Sequence, residues 1–189
     1  MTTHILTLIL IVLVWSGAAL AQRPDSTDGT VFIEEHVSFV LKEPLGWVLD
    51  VETAKVERVQ AVLYREGSSW RDGVAVMYVR VIHKDETQPT IAKVIANDVA
   101  QFLKASKEST ISDSPSIQTR DKKNSVVKVF YDAANKNFES VAFIDEAKVV
   151  VIIALSSREK GEYEKAVPAF DALVGSYSLF APLVRPADD

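Results

Sequence analysis

The sequence predicts an α+β fold, a single-domain α/β/α sandwich with a mostly antiparallel central sheet and two main helices. The elements run in the order strands, helix, strands, helix, and short turns join the strands of each series, which favours antiparallel hairpins. Two strand segments, 74–83 and 148–155, are apolar at both alternations. Both faces of such strands must be covered, and each of the two helical segments carries an apolar stripe that can cover one.

The first series of strands is rich in β-branched and aromatic residues, as is typical of sheets. Its segments are 31–33, 37–41, 58–65 and 74–83. Residues 66–73, with the sequence EGSSWRDG, join the last two strands, and glycines near both ends of this segment are typical of a hairpin loop.

A helix is predicted from Thr90 to about Ser106. Gln88-Pro89-Thr90 opens it, and Pro89 suits the first turn, where its missing N–H needs no helical partner. Apolar residues then recur at three-four spacing, which favours an amphipathic helix lying on a sheet. The segment 107–116 is polar and contains Pro115, so we expect a loop there.

The second series of strands is predicted at 117–120, 125–131, 138–145 and 148–155. Short polar turns separate these segments. A last helix is predicted over 161–176, with Pro168 inside it and Gly175 near its end.

The N-terminal segment 1–21 is interpreted as an export signal. An apolar stretch from Ile5 to Trp15 is followed by Ala19-Leu20-Ala21, which places small residues where a signal peptidase reads them. The segment lacks Lys and Arg before the apolar stretch, and an uncleaved anchor is the alternative, since about 17 apolar residues can just span a bilayer. We expect a flexible leader at 22–30, one globular domain at 31–180 and a disordered tail at 181–189, in a protein exported to the periplasm or the medium.

Composition excludes several classes of protein. The chain has 189 residues, of which 48% are hydrophobic and 25% charged, which is typical of a packed globular protein. It contains no cysteine, which excludes disulfides, thiolate nucleophiles and a lipid anchor on cysteine. The net charge of −5 argues against a nucleic-acid partner, because phosphate binding needs a basic surface.

Several structural motifs occur in the order found in one known family. They are the opening 37–41 with Pro44-Leu45-Gly46-Trp47, the helix from Thr90, the hairpin 141–145 to 149–155, and the closing Tyr163, Phe170, Leu173-Val174 and Ser176-Tyr177. In these motifs the chain resembles the PsbP-like proteins, which share their fold with a nuclear-transport factor that binds Ran. The resemblance spans most of 31–180 and implies a non-catalytic assembly or binding module, with no functional residue carried over.

Trp70, Arg71 and Asp72 are the candidate binding residues. A tryptophan in a glycine-flanked loop, followed by two charged residues, has the composition of a binding hot spot. The alternative is that the Trp70 ring folds back over the sheet edge. Trp47 follows Gly46 at a strand entry and is predicted to lie in the core, whereas Arg80 lies in an apolar strand and is expected to pair with a carboxylate or extend to solvent.

Catalytic and metal-binding patterns are weak. His36 and His83, with Glu34 or Glu35, could bind a metal if the two strand ends meet, but the spacing matches no known template and no metal is predicted. Ser68 and Ser69 lie a full strand away from His83, which is unfavourable for a nucleophile and its base. Adjacent carboxylates such as Asp85-Glu86 point to opposite faces of a strand and cannot act on one bond.

The sequence therefore predicts an exported, non-enzymatic domain without a cofactor that binds a protein partner or a component of the cell envelope. Two alternatives remain: a carrier of a small apolar ligand held between sheet and helix, and a metal-dependent enzyme that uses His36 and His83.

Overall fold

The structure, a computed structural model, describes residues 29–105 and 108–180. Within these ranges the strands are β1 (Thr30–Glu34), β2 (Val37–Leu41), β3 (Trp47–Asp50), β4 (Ala61–Arg65), β5 (Ala75–His83), β6 (Thr110–Ser114), β7 (Val126–Asp132), β8 (Asn137–Asp145), β9 (Val149–Ser157) and β10 (Ser178–Leu179). The helices are α1 (Val51–Glu57), α2 (Ile91–Ala105) and α3 (Lys160–Ser176).

The main sheet has seven strands in the order β3-β4-β5-β9-β8-β7-β6. Every neighbouring pair in it is antiparallel, as predicted. The nine-residue strands β5 and β9 lie side by side near its centre, with Ala75 opposite Ser157 and His83 opposite Val149. These are the strands whose sequences are apolar at both alternations, and their central position explains that pattern.

The two long helices cover opposite faces of the main sheet. Along β9, Val149, Val151, Ile153 and Leu155 pack in one cluster with Phe170 and Leu173 of α3. The alternating residues Val150, Ile152 and Ala154 pack in a second cluster with Val94 of α2. The predicted α/β/α sandwich is therefore confirmed.

A second sheet of three strands, in the order β1-β2-β10, covers one end of the core on the α3 side. The ring of Phe39 stacks on Phe32 at 5.0 Å between centroids and lies 5.4 Å from the ring of Tyr177. Phe39 and Tyr177 are fully buried, so this small sheet is part of the same hydrophobic core.

Three local predictions of secondary structure are wrong. The strand predicted at 58–65 begins at Ala61, after the unpredicted helix α1, and the unpredicted β3 precedes that helix. Residues 117–120 form a single bridge, Gln118 to Asn124, while β6 lies in the segment predicted as a loop. Thr30, the last residue of the predicted leader, pairs with Leu41 and begins β1.

The predicted signal segment 1–21, most of the leader and the tail 181–189 lie outside the described residues, as does the predicted helix end at Ser106. Within residues 29–105 and 108–180, no helix combines the length and the apolar character needed to cross a membrane.

Candidate functional site

The loop that joins β4 to β5 contains the predicted binding residues, and hydrogen bonds hold its shape. The Ser69 hydroxyl donates to Asp72 Oδ2 at 2.7 Å, and the Gly73 N–H donates to the Ser69 carbonyl at 2.8 Å. At the other end, the Glu66 N–H donates to the Gly46 carbonyl at 3.0 Å. The loop is therefore a structured element and not a free tip.

Helix α1 forms the opposite wall of the site. Its first turn is capped by Asp50, whose carboxylate accepts a hydrogen bond from the Thr53 N–H at 2.9 Å. Its end is closed by Arg58, which takes the left-handed conformation at φ 60°. The Tyr64 hydroxyl of β4 donates to the same Asp50 carboxylate at 2.9 Å, so α1 is fastened to the sheet beneath the loop.

A cavity of about 260 Å³ lies between the loop and α1. Its lining residues are Thr53, Val56, Glu57, Tyr64, Ser69, Trp70 and Arg71. Val56 is 75% exposed and leaves an apolar edge on the α1 side. The charged side chains of Glu57 and Arg71 complete the rim, so the cavity combines apolar walls with one charge of each sign.

The sequence allows Trp70 either to project from the loop for binding or to fold back over the sheet edge, and its observed position lies between these two arrangements. Its side chain is half-buried and lines the cavity, so it neither projects freely into solvent nor closes over the core. Arg71 is exposed and also lines a wider polar groove of about 720 Å³ that continues past Gly73 to Asn135 and Arg158. Arg71 thus stands where two concave surfaces meet.

Asp72 is exposed, but its carboxylate is used within the loop. Besides accepting from the Ser69 hydroxyl, Asp72 places its own N–H 3.2 Å from Ser69 Oγ. Of the three predicted residues, the structure therefore brings Trp70 and Arg71 to the cavity, while Asp72 shapes the loop that presents them. His83 lies at the opposite end of β5 from Ser69 and is not oriented to act as its base.

Trp47 and Arg80 take the positions expected of them. Trp47 is 3% exposed, belongs to the core, and has the Arg65 guanidinium 5.2 Å from its ring centroid. Arg80 pairs with Asp98 of α2 at 2.5 Å.

A partly buried polar cluster on the α2 side of the sheet has no counterpart among the sequence motifs. Tyr78 donates a hydrogen bond to Glu139 at 3.2 Å, and both residues line a cavity of about 170 Å³ together with Arg80 and Asp98. Burial raises the pKa of Glu139 to about 7, although the hydrogen bond from Tyr78 opposes that shift. The members lie on three elements distant in sequence, and only the fold joins them.

The structure also brings the two strand ends together at His36 and His83. His36 lies in the turn between β1 and β2, and its ring centroid is 5.5 Å from that of His83 at the end of β5. Glu35 Oε1 lies 3.6 Å from His36 Nε2. Asp85, two residues after His83, instead accepts hydrogen bonds from Thr87, which lower its pKa, and from Gln88.

No model of a protein family matches the chain, and no curated protein matches it. Among solved structures, the chain is similar to the solution structure of cyanobacterial PsbP (CyanoP) from Synechocystis sp. PCC 6803, at 12% identity and a TM-score of 0.49, over 80% of this chain and 92% of that chain. It is also similar to a crystal structure from Bacteroides thetaiotaomicron, at 11% identity and a TM-score of 0.43, over 82% of this chain and 49% of that chain. At these identities and with TM-scores below 0.5, the two likenesses carry no conclusion about the family or function of the chain.

Proposed function

We propose that the chain is an exported, non-catalytic domain that binds a protein partner through the surface formed by α1 and the loop 66–73. The observation that carries this proposal is the position of Trp70, half-buried in the wall of a cavity whose other wall is the exposed Val56. Export is supported by the apolar stretch and small-residue pattern at the N-terminus.

The composition of the surface favours a protein partner. Tryptophan and arginine are the residue types most enriched where truncation weakens protein–protein binding, especially beside a pocket. Here Trp70 and Arg71 are adjacent, and their loop is fixed by its own hydrogen bonds, which lowers the entropy lost on binding. A partner that fits would insert an apolar side chain between Trp70 and Val56 and place a carboxylate against Arg71.

The arrangement of polar groups around the loop supports a binding role over a catalytic one. Nucleophilic catalysis requires a hydroxyl that donates to a base which is itself oriented by a third group. The Ser69 hydroxyl instead donates to Asp72, and this bond also holds the turn through the Asp72 N–H. Ser69 therefore has a local structural role.

The proposal is tested by quantitative cross-linking and affinity capture from an envelope extract, with Trp70→Ala and Arg71→Ala compared with the unaltered protein. We expect each variant to recover the specific partner at least about tenfold less, as truncation of a hot-spot residue does. Ile33→Ala and Arg120→Ala are matched controls, because both residues are exposed and lie on other elements. Full recovery of every partner by the Trp70→Ala, Arg71→Ala double variant would refute the proposal.

A second candidate function, the carriage of a small apolar ligand, is favoured by an open cavity of about 290 Å³ between α3 and the strands β7 and β8. Its lining combines apolar residues such as Val127, Val167 and Phe170 with the polar Ser140 and Asp171, and its size is close to the lower limit of about 300 Å³ for ligand pockets. Native mass spectrometry of freshly purified protein tests this role. A bound small molecule that is lost in Val167→Trp would support it, and protein that is repeatedly free of ligand would exclude it.

A further inference from the structure

The fold joins two histidines that are far apart in the sequence. The chain has three histidines, of which His36 and His83 lie within the described residues. Their rings are 5.5 Å apart between centroids, with an angle of 79° between the ring planes. One belongs to the turn of the small sheet and the other to the end of the central strand of the main sheet, so the contact exists only in the folded chain.

A carboxylate completes the group. Glu35 is next to His36 in the β1–β2 turn, with its Oε1 3.6 Å from His36 Nε2. Glu35, His36 and His83 each offer one ligand atom, and these three atoms lie within 4.8 Å of one another. All three side chains are exposed, so that an ion can reach them directly from solvent.

The donor set selects the class of ion. Two imidazoles and a carboxylate suit zinc and copper, whereas calcium and magnesium prefer oxygen ligands only. With bonds of about 2.0–2.2 Å, the ligand atoms of a tetrahedral zinc ion lie roughly 3.4 Å apart. The observed spacing of at most 4.8 Å is somewhat longer, and the exposed side chains have room to rotate towards an ion.

We propose that Glu35, His36 and His83 form a binding site for one divalent transition-metal ion of the zinc and copper class, with water in the remaining coordination positions. The bound ion fastens the β1–β2 turn of the small sheet to the end of β5 in the main sheet. The site is independent of the proposed partner surface, because that surface lies at the opposite end of β5.

The neighbouring charges are already used in other interactions. Lys84 pairs with Asp145 at 2.6 Å and donates to the Glu146 carbonyl at 2.5 Å, so its ammonium is held on the β8–β9 turn. Asp85 accepts three hydrogen bonds from the residues that follow it. Among the described residues, the group whose ligand atoms lie within 4.8 Å of one another here consists of the two imidazoles and the Glu35 carboxylate, and it does not include Glu34.

Zinc titration of the full chain, freed of any histidine tag, tests the proposal by calorimetry and by the NMR signals of the imidazole rings. We expect one zinc ion per chain, joint movement of the His36 and His83 signals to saturation, and a zinc-dependent rise in melting temperature. His36→Gln, His83→Gln and Glu35→Gln should each weaken zinc binding by at least about tenfold. Glu86→Gln is a matched control, because Glu86 is an exposed glutamate three residues after His83, and it should bind zinc as the unaltered chain does.

Absence of saturable zinc binding would overturn the site. Unchanged affinity in any one of His36→Gln, His83→Gln and Glu35→Gln would overturn the assignment of three ligands. These outcomes do not depend on correct prediction of the partner surface, since no part of the readout involves Trp70 or a partner protein.

Discussion

The hydroxyl of Tyr64 donates a hydrogen bond to Asp50 Oδ2 at 2.9 Å, and this contact joins strand β4 to the first turn of α1. The same carboxylate accepts from the Thr53 N–H at 2.9 Å and from the Thr53 hydroxyl at 2.7 Å. The bonds from Thr53, with a smaller contribution from Tyr64, lower the pKa of Asp50 below its ordinary value of 3.8. One carboxylate therefore positions the α1 wall of the candidate site.

Asp50→Ala should destabilise the protein at neutral pH by about 1–2 kcal/mol, because it removes a helix cap and leaves Tyr64 without this acceptor. Urea unfolding measures the loss. Tyr64→Phe removes only one of the bonds and should cost about 1 kcal/mol or less.

The stabilisation by Asp50 should depend on pH in a defined direction. The pKa of Asp50 is lower in the folded chain than in the unfolded chain. Its contribution to the free energy of unfolding is therefore fully present at pH values above the pKa of the unfolded chain, and it is lost as the pH falls through the pKa of the folded chain. The difference between the unaltered protein and Asp50→Ala should therefore narrow below about pH 4. A difference that stays constant down to about pH 2 would contradict this account.

The central strands and the two long helices could be predicted because burial determines their sequences. β5 and β9 are covered on both faces and have few polar residues, while the apolar stripe of α2 matches the single face that it buries. Such patterns can be read without knowledge of the tertiary structure.

The elements that were missed depend on tertiary contacts. α1 has seven residues, too few for a clear periodic pattern, and its capping carboxylate is held by Tyr64 from another strand. β6, with the sequence TISDS, is polar because it is the edge of the sheet, where it pairs with β7 and where Asp113 forms an ion pair with Lys128. α1 is thus too short, and β6 too polar, to show the pattern on which its prediction would depend.

The candidate site could be predicted only in part for the same reason. The loop and Trp70 were visible as a glycine-flanked aromatic, but the opposite wall belongs to the helix that was missed. The contact between His36 and His83 requires the β1–β2 turn to reach the end of β5, which no local pattern encodes.

Glu139→Gln should stabilise the protein at alkaline pH. Burial raises the pKa of Glu139 to about 7 from an ordinary value of 4.5, so the free energy of unfolding falls as the pH rises from about 4.5 to about 7, because the unfolded chain releases this proton while the folded chain keeps it. Glutamine keeps an acceptor for Tyr78 without the charge, and we expect a gain of roughly 1–3 kcal/mol at about pH 8 that disappears as the pH falls towards about 4.5. Urea unfolding across this range measures the gain.

The control for this prediction is Glu66→Gln, a substitution of the same kind at an exposed residue, which should change stability little at any pH. If Glu139→Gln were less stable than the unaltered protein at about pH 8, the ionised Glu139 carboxylate would not destabilise the folded chain, and the prediction would be wrong.

Glu146→Ala should be strongly destabilising. Glu146 is 8% exposed, accepts a hydrogen bond from the fully buried Tyr177 hydroxyl at 2.8 Å, and pairs with Lys123 at 2.5 Å. Removal of the carboxylate leaves both partners without it, at a cost of about 3 kcal/mol in the free energy of unfolding. Glu164→Ala is the control, since its exposed pair with Lys160 should contribute less than about 1 kcal/mol, and equal losses in the two variants would contradict the proposed role of burial.

Two glycine substitutions should have opposite effects on stability. A Cβ at Gly73 would lie 2.8 Å from Val76 Cγ1 and 2.9 Å from the Ser69 carbonyl oxygen, so Gly73→Ala must displace the backbone of the loop. Gly161 lies in the first turn of α3, and a Cβ added to it would have no neighbouring atom within 4 Å, so Gly161→Ala should stabilise the helix by about 0.5–1 kcal/mol. Melting curves of the two variants measure both effects, with Gly73→Ala expected to lose about 1–3 kcal/mol through overpacking and to bind the partner less well. Wild-type stability in Gly73→Ala would show that the loop adapts freely and is not held by the Ser69 turn.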